Sequence, residues 1–387
     1  MLIQTLEELR TDLPITQHYA YFQTGSYAPV PESTQRYMTE QWHEENRYVL
    51  GLGETPRGIH FAQRMENARQ ILADLLGVTT AEVAWSDNTT TATRLAVQSL
   101  DWQAGDKLAL SDVEHVSTLQ LACGMTQRLG VTTTVISSGE GATYRPAAFL
   151  EQVERHLTPD HKLFILCHVA NTDGRRLPVA EAVEIARRRG VKTLVDGAQA
   201  VGVVPVRVGE IGADFYSGSA HKWLMGPAGV GFLVVNRNQL STYNPRWLPT
   251  RPEQAPTAAA HSELGTPNHV LRLGAGHSIE MLQRIGLGQV EAHMKLLTEQ
   301  LRQELHSLKG VRNAGPTAWE HSGSITTLQF EGGTPERCRH LVALLRERHQ
   351  IVTKFRPEVC GIRISISAFN TPDEIDGLLA ALAKEIG

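Results

Sequence analysis

Six short β-rich runs punctuate the chain between residues 82 and 235: EVAWS (82–86), KLALS (107–111), VTTTVI (131–136), KLFILCHV (162–169), VKTLVDGA (191–198) and GVGFLVV (229–235). Several are apolar at consecutive rather than alternate positions, the pattern of strands covered on both faces. Helical segments accompany them. FAQRMENARQILADLLG (61–77) places Phe61, Met65, Ala68, Leu72 and Leu75 on one face, with Gly77 as a stop. PVAEAVEIARRRG carries Pro178 in its first turn and a stop at Gly190. This alternation predicts an α/β fold built on a helix-covered, mainly parallel sheet.

Past residue 236 the texture changes. NPRWLPTRPEQAPTAAAH (244–261), rich in proline and alanine, reads as an irregular crossing. A helical region follows over about 275–309, then a strand in SITTLQF and a helix near 335–349. The terminal helix in NTPDEIDGLLAALAKEI has Thr371 as cap, with Pro372 and Glu374 in its first turn. A chain of 387 residues is too long for one ordinary core. The expected division is a large domain over 21–260 and a smaller α+β domain over 261–387, with residues 1–20 packing on the latter.

Composition narrows the function classes. No apolar window of about 18 residues is present to span a membrane, and the first residues lack a basic stretch followed by an apolar one. A net charge of −4 makes no case for nucleic acid. Cys123, Cys167, Cys338 and Cys360 are scattered without CxxC pairs, which argues against a zinc site or a disulfide framework. A reduced, cytoplasmic protein with no metal is the expectation.

In an open parallel sheet, ligands bind beyond the carboxyl ends of the strands, and the chain keeps its reactive groups there. DNTTTAT (87–93) follows the first run and opens a helix, so that Asn88, Thr90 and Thr91 offer hydroxyls and free N–H groups to an anion, or serve as an ordinary cap. LVDGAQA brings Asp196 to a strand end with Gln199 three residues on. A carboxylate buried there needs a partner, unless it merely shapes a turn. His115 follows KLALS, and His168 and Asn171 follow another run. A lone histidine is more often a packing residue, yet chance accounts for one or two such placements better than for five.

YSGSAHKWLMGPAGVG (216–231) sets Lys222 between small residues and a glycine-rich turn. If Thr90 and Thr91 hold a phosphate and Asp196 faces a pyridinium nitrogen, Lys222 is placed to form a Schiff base with pyridoxal 5′-phosphate (PLP). The glycines of GPAGVG precede a strand with G-x-x-G-x-G spacing, unlike the dinucleotide fingerprint, which argues against a nicotinamide enzyme.

On these motifs, above all DGAQAVG followed about 20 residues later by SGSAHKW and GPAGVGFL, the chain resembles the aminotransferase class V family of fold-type I enzymes. That family includes cysteine desulfurases, selenocysteine lyases, cystine and cysteine C–S lyases and isopenicillin-N-epimerase-like proteins. The resemblance runs from YFQTGSYAPVP (21–31) to IRISISAFNTPDEID (362–376). It implies a seven-stranded, mainly parallel sheet, a PLP cofactor and a homodimer. Lys222 is then the Schiff-base lysine, Asp196 the partner of the pyridine nitrogen, Gln199 a donor to the ring's phenolic oxygen, and His115 the ring that stacks on the cofactor. Thr90, Thr91, Ser219 and His221 become phosphate ligands beside Asn88, and Thr266 in SELGTPN would reach the phosphate of the neighbouring subunit. Asn171 and Arg363 would bind the substrate α-carboxylate.

Two departures bear on the reaction. Before the E-x-G-T segment, where the family often has an arginine and an aromatic residue, this chain has His261 and Ser262. Family desulfurases carry a nucleophilic cysteine in an Arg-x-Gly-His-His-Cys type of segment well before the carboxylate arginine. This chain has only TKFRPEVCGIR, with Cys360 three residues before Arg363. Lys354 stands where some C–S lyases of the family carry a second basic residue, either as a ligand for a second carboxylate or in solvent. The expectation is β-elimination from cysteine, cystine or an S-substituted cysteine. The alternatives are a desulfurase with Cys360 as sulfur carrier, and an aminotransferase or epimerase acting on another amino acid. A cofactor-binding regulator without turnover is disfavoured, because a binder need not keep both an electron sink and a substrate clamp.

Overall fold

The computed structural model describes residues 3–48, 55–245 and 256–386. It opens with α1 (Leu6–Thr11), closed by a capping box between Thr5 and Glu8, and β1 (Ala20–Tyr21). Helices α2 (Glu32–Tyr48) and α3 (Pro56–Leu76) follow. Helix α3 starts where Thr55 accepts the N–H of Gly58 and ends at Gly77 in the left-handed conformation, where its sequence carries the stop. The chain then alternates through β2 (Val83–Ser86), α4 (Thr89–Gln98), β3 (Lys107–Ser111), α5 (Val116–Leu129), β4 (Thr132–Ile136), α6 (Pro146–His156), β5 (His161–Cys167), α7 (Val179–Arg188), β6 (Lys192–Asp196), α8 (Val208–Ile211), β7 (Phe215–Ser219) and β8 (Gly231–Val235).

These strands form one seven-stranded sheet in the order β2-β8-β7-β6-β5-β3-β4. Pairs from β7 to β4 are parallel, and β8 runs antiparallel to both its neighbours. Apart from the edge strand β4, where Thr132, Thr133 and Val135 are exposed, the sheet is buried on both faces. Ala109, Phe164, Leu166, Val195 and Tyr216 pack on one side with Leu72 of α3 and Val183 of α7, while Leu108, Leu110, Leu163, Ile165 and Leu194 pack on the other with Leu95 of α4 and Met125 of α5. Strand β7 is not among the six apolar runs. Its Ser-Gly-Ser end is small because the neighbouring strand presses on it: a Cβ at Gly218 would lie 2.2 Å from the ring of Phe232.

The remainder comprises α9 (Ala258–Ser262), α10 (His269–Ile285), α11 (Leu287–Glu304), β9 (Val311–Asn313), β10 (Ile325–Phe330), α12 (Pro335–His349), β11 (Ile351–Val352), β12 (Lys354–Arg356), β13 (Gly361–Ser365) and α13 (Pro372–Ile386). The helical region expected over about 275–309 is two helices, broken at Gly286 with φ 97°. Strands β12-β13-β10-β9 make an antiparallel sheet. A second core forms there, with Leu301 of α11, Leu345 of α12 and Leu382 of α13 against Leu328 and Ile364.

Helix α10 follows residue 260 in the chain, yet Leu273, Ile279 and Leu282 join the core of the large sheet, as do Ile3, Leu9 and Leu13 near the N-terminus. Arg10 also reaches α13, through the carbonyl of Phe369 and an ion pair with Glu374. The crossing expected over 244–261 lies largely outside the described residues. Among the described residues, no helix is long and apolar enough to cross a membrane.

Candidate active site

Strands β6 and β7 end in Asp196 and Ser219, and both open onto a cavity of about 400 Å³ whose far wall is β12 and β13. At one end of it stands the N-terminus of α4. Asn88 caps this helix, its Oδ1 accepting the N–H of Thr91 at 2.9 Å. The helix start can sit against β8 because Gly231 has no side chain: a Cβ there would lie 2.6 Å from Asn88 Cα. Thr89 donates its N–H to Ser219 Oγ at 3.1 Å and shares a hydroxyl contact with it at 2.5 Å. Thr90 lines the cavity beside Asn88 and Thr89, whereas Thr91, one step further round the helix, does not. His221 borders the same cavity and has a buried Nδ1 without a hydrogen-bond partner among the described residues. Burial, then Lys222, pushes its pKa down to about 4, so the ring is neutral.

Lys222 follows β7 in a turn that closes when Met225, at φ 52°, donates its N–H to the Lys222 carbonyl at 3.0 Å. Among the described residues nothing hydrogen-bonds to Lys222 Nζ, which faces the cavity. Burial lowers its pKa to about 8; Asp196 opposes this, and Arg363 and Arg356 add to it. Asp196 is buried, with Oδ1 accepting the N–H of Ala198 at 2.9 Å and Oδ2 without a hydrogen-bond partner among the described residues. His115 caps α5: its Nδ1 accepts the Ser117 N–H at 3.2 Å and lies 2.8 Å from Ser117 Oγ, leaving Nε2 free. Burial first, then Lys222, depresses its pKa. Gln199 donates to the carbonyl of Gly25 and accepts from Trp223 Nε1, each at 2.8 Å, so one amide hydrogen remains for a ligand.

The far wall is cationic. Arg363 is almost fully buried and donates to the Asn171 carbonyl at 2.9 Å and to Ser26 Oγ at 2.6 Å, with Nε unpartnered among the described residues. Burial, reinforced by Arg356, pushes its pKa down to about 9. Arg356 donates to Asn171 Oδ1, and Lys354 also lines the cavity. Thr266 is exposed in the loop before α10, away from this chain's cavity. That loop is anchored by Glu263, whose Oε1 accepts from Arg69 and from the Trp85 N–H while Oε2 accepts from Arg272.

The structure thus brings together ten residues singled out in the sequence: Asn88, Thr90, His115, Asn171, Asp196, Gln199, Ser219, His221, Lys222 and Arg363, with Lys354 beside them. It adds Thr89, Ser26, Arg356 and Cys167. Thr89 was legible as the first residue after the cap; Ser26 carries no signal of its own. Cys167 ends β5, where burial, then Glu114 and Asp196, pushes the thiol well above its ordinary pKa. Cys360 is partly exposed and is not part of the cavity wall.

These groups fit PLP. The unsatisfied His221 nitrogen and the start of α4 would hold a phosphate, Asp196 Oδ2 would face the pyridine nitrogen, and unpaired Lys222 would bond the aldehyde. Fold and cavity together define a PLP-dependent enzyme of fold type I. The family model for aminotransferase class-V matches residues 20–378, and the chain belongs to that family.

The chain is 29% identical to the isopenicillin N epimerase of Streptomyces clavuligerus, over 99% of this chain and 98% of the relative. It is 28% identical to a probable cysteine desulfurase of Methanothermobacter thermautotrophicus, over 100% and 99%. Among solved structures, the cystine C–S lyase C-DES in complex with its product cysteine persulfide matches with a TM-score of 0.83 at 25% identity, covering 96% of this chain and 99% of that one. A C-DES variant with glycine covalently linked to the PLP cofactor gives 0.84 at 25% identity, covering 97% and 98%.

Proposed function

We propose that this chain is a carbon–sulfur lyase that cleaves cysteine, cystine or another S-substituted cysteine by β-elimination to pyruvate, ammonia and a thiol or persulfide, working as a homodimer. The state of the cysteines carries this reading. The one cysteine lining the cavity, Cys167, is kept as a thiol by burial beside two carboxyl groups, and Cys360 is off the cavity. A sulfur-accepting nucleophile must be a thiolate, so neither is suited to take sulfur from the substrate as a desulfurase does. The likeness to a cystine C–S lyase supports the same choice.

Arg363 would clamp the α-carboxylate with its fork of donors, holding Cα towards Lys222. With a pKa of about 8, roughly a quarter of Lys222 amines are neutral at pH 7.5, enough to take the Cα proton as a general base. When bound, PLP supplies an electron sink for the pair left on Cα, with its nitrogen kept protonated by Asp196. The Cβ–S bond then breaks with its electron pair going to sulfur, and the proton on Lys222 Nζ is available to that leaving group. The 2-aminoacrylate released hydrolyses to pyruvate and ammonia.

The test is the product of purified holoenzyme with cysteine and cystine. Pyruvate without alanine, unchanged in Cys360→Ala, is the expected result. Alanine with an enzyme persulfide would replace the reading with a desulfurase, inverted substrate without pyruvate would replace it with an epimerase, and a pyridoxamine absorbance reversed by 2-oxo acids would replace it with an aminotransferase.

A further inference from the structure

Glu114 stands in the short turn between β3 and α5 and is not part of the cavity wall. Its side chain is buried. Oε1 accepts the hydroxyl of Ser111, the last residue of β3, at 2.5 Å and the N–H of Cys167, the last residue of β5, at 2.6 Å. A single oxygen thus ties the carboxyl ends of two paired strands. Oε2 is buried with no hydrogen-bond partner among the described residues. Both ends of this tie lead to the site. The next residue, His115, caps α5, and Cys167 lies opposite Asp196 in the ladder of β5 with β6. His115, Cys167 and Asp196 all line the cavity.

The surroundings favour a neutral group. Both contacts come from uncharged donors, and a carboxylate buried without a cation is expensive. The charged groups that bear on it are acids, Asp196 at the end of β6 and Asp112 in its own turn, while the Cys167 thiol on β5 feels it in return. Burial first, then repulsion from Asp196 and Asp112, raises its pKa to about 8 against the pull of Ser111 and the Cys167 N–H. With Oε1 engaged by two donors, the proton belongs on Oε2. A proton there spares Asp196 a second buried anion nearby.

We infer that Glu114 is a positioning residue working as a neutral carboxylic acid: it fastens β3 to β5, and so fixes His115 and Asp196, without adding charge, and in alkali it ionises and sets a second anion near Asp196. The role is the same for any reaction performed in the cavity. Glutamine is the isostere of that acid, with its amide oxygen in place of Oε1 and its NH2 in place of the protonated Oε2.

The experiment compares the holoenzyme with its Glu114→Gln and Glu114→Leu variants. The infrared difference between the unaltered enzyme and Glu114→Gln should contain a protonated carboxyl stretch at about pH 6 that is lost by about pH 10, with a midpoint of about 8. Glu114→Gln should keep kcat with cysteine or cystine within about twofold at about pH 7, whereas Glu114→Leu, which offers Ser111 and the Cys167 N–H no acceptor, should lose about tenfold or more. Only the unaltered enzyme gains an anion in alkali, so the visible band of its bound cofactor should titrate at a higher pH than that of Glu114→Gln. The infrared and visible readouts need no substrate: they hold if the lyase reading falls, and they decide the matter if Glu114→Leu does not fold. Absence of the carboxyl band, a loss in Glu114→Gln as deep as in Glu114→Leu, or identical titrations would each overturn the proposal.

Discussion

Lys222 is a cation kept where charge is unfavourable, and its substitution should therefore stabilise the protein. Burial lowers its pKa from 10.5 to about 8, with Asp196 offsetting only part of the effect. In the unfolded chain the amine regains its ordinary value. Between those two values the unfolded state binds a proton that the folded state has released, so this group's contribution to stability rises with pH over that interval. At pH 7 both states are protonated and the folded state bears the whole penalty, which at about 1.4 kcal/mol per pH unit comes to about 3 kcal/mol. Lys222→Met removes the charge and keeps a side chain of similar length. With cofactor stripped from both proteins and matched concentrations, urea unfolding should show the variant more stable by about 2–3 kcal/mol at pH 7, and by less than about 1 kcal/mol at pH 10. Equal stabilities at pH 7, or a gap that does not change with pH, would refute the reasoning.

Three further outcomes are expected. Asp196→Asn keeps an oxygen for the Ala198 N–H but cannot hold a pyridine nitrogen protonated, so the visible absorbance of bound cofactor should persist while turnover falls about a hundredfold or more. Arg363→Lys loses the two-point fork that reaches Asn171 and Ser26, and steady-state kinetics should show KM rising about tenfold with a smaller change in kcat. Glu263→Gln leaves two largely buried guanidiniums, Arg69 and Arg272, around a neutral amide, and should cost about 3 kcal/mol in denaturant unfolding.

Strands and helices were readable wherever one physical rule decided them. Consecutive aliphatic residues mark β5 and β6 because both faces of the sheet are covered, and Gly77 and Thr371 mark helix ends because they satisfy orphan backbone groups. Strand β7 was hidden because close packing on β8 demands small residues there, which erases its hydrophobic signature. The site followed the same logic. Asp196 and His115 stand out as reactive types at the ends of strand runs, and Lys222 as a long cation set between small residues and a glycine-rich turn. Thr89 depends on Ser219, a residue far along the chain, and no local pattern announces that contact. Arg356 acquires its meaning only from the register of β12 with β13, which a single sequence does not reveal.

The two-residue strand β1 lies parallel to β11, and Gln23 bridges to Ser365 just beyond it. Two and three residues further on are Gly25, whose carbonyl holds Gln199, and Ser26, which receives Arg363. One wall of the cavity is thus made from the beginning of the chain but is held in place by its last portion. During synthesis the large sheet, complete at β8, could collapse while the C-terminal strands were still within the ribosome. The cavity could not. Pairings so distant in sequence form slowly, so the cofactor-ready pocket assembles after the large sheet, once β11 and β13 are available to hold the segment around Gly25 and Ser26.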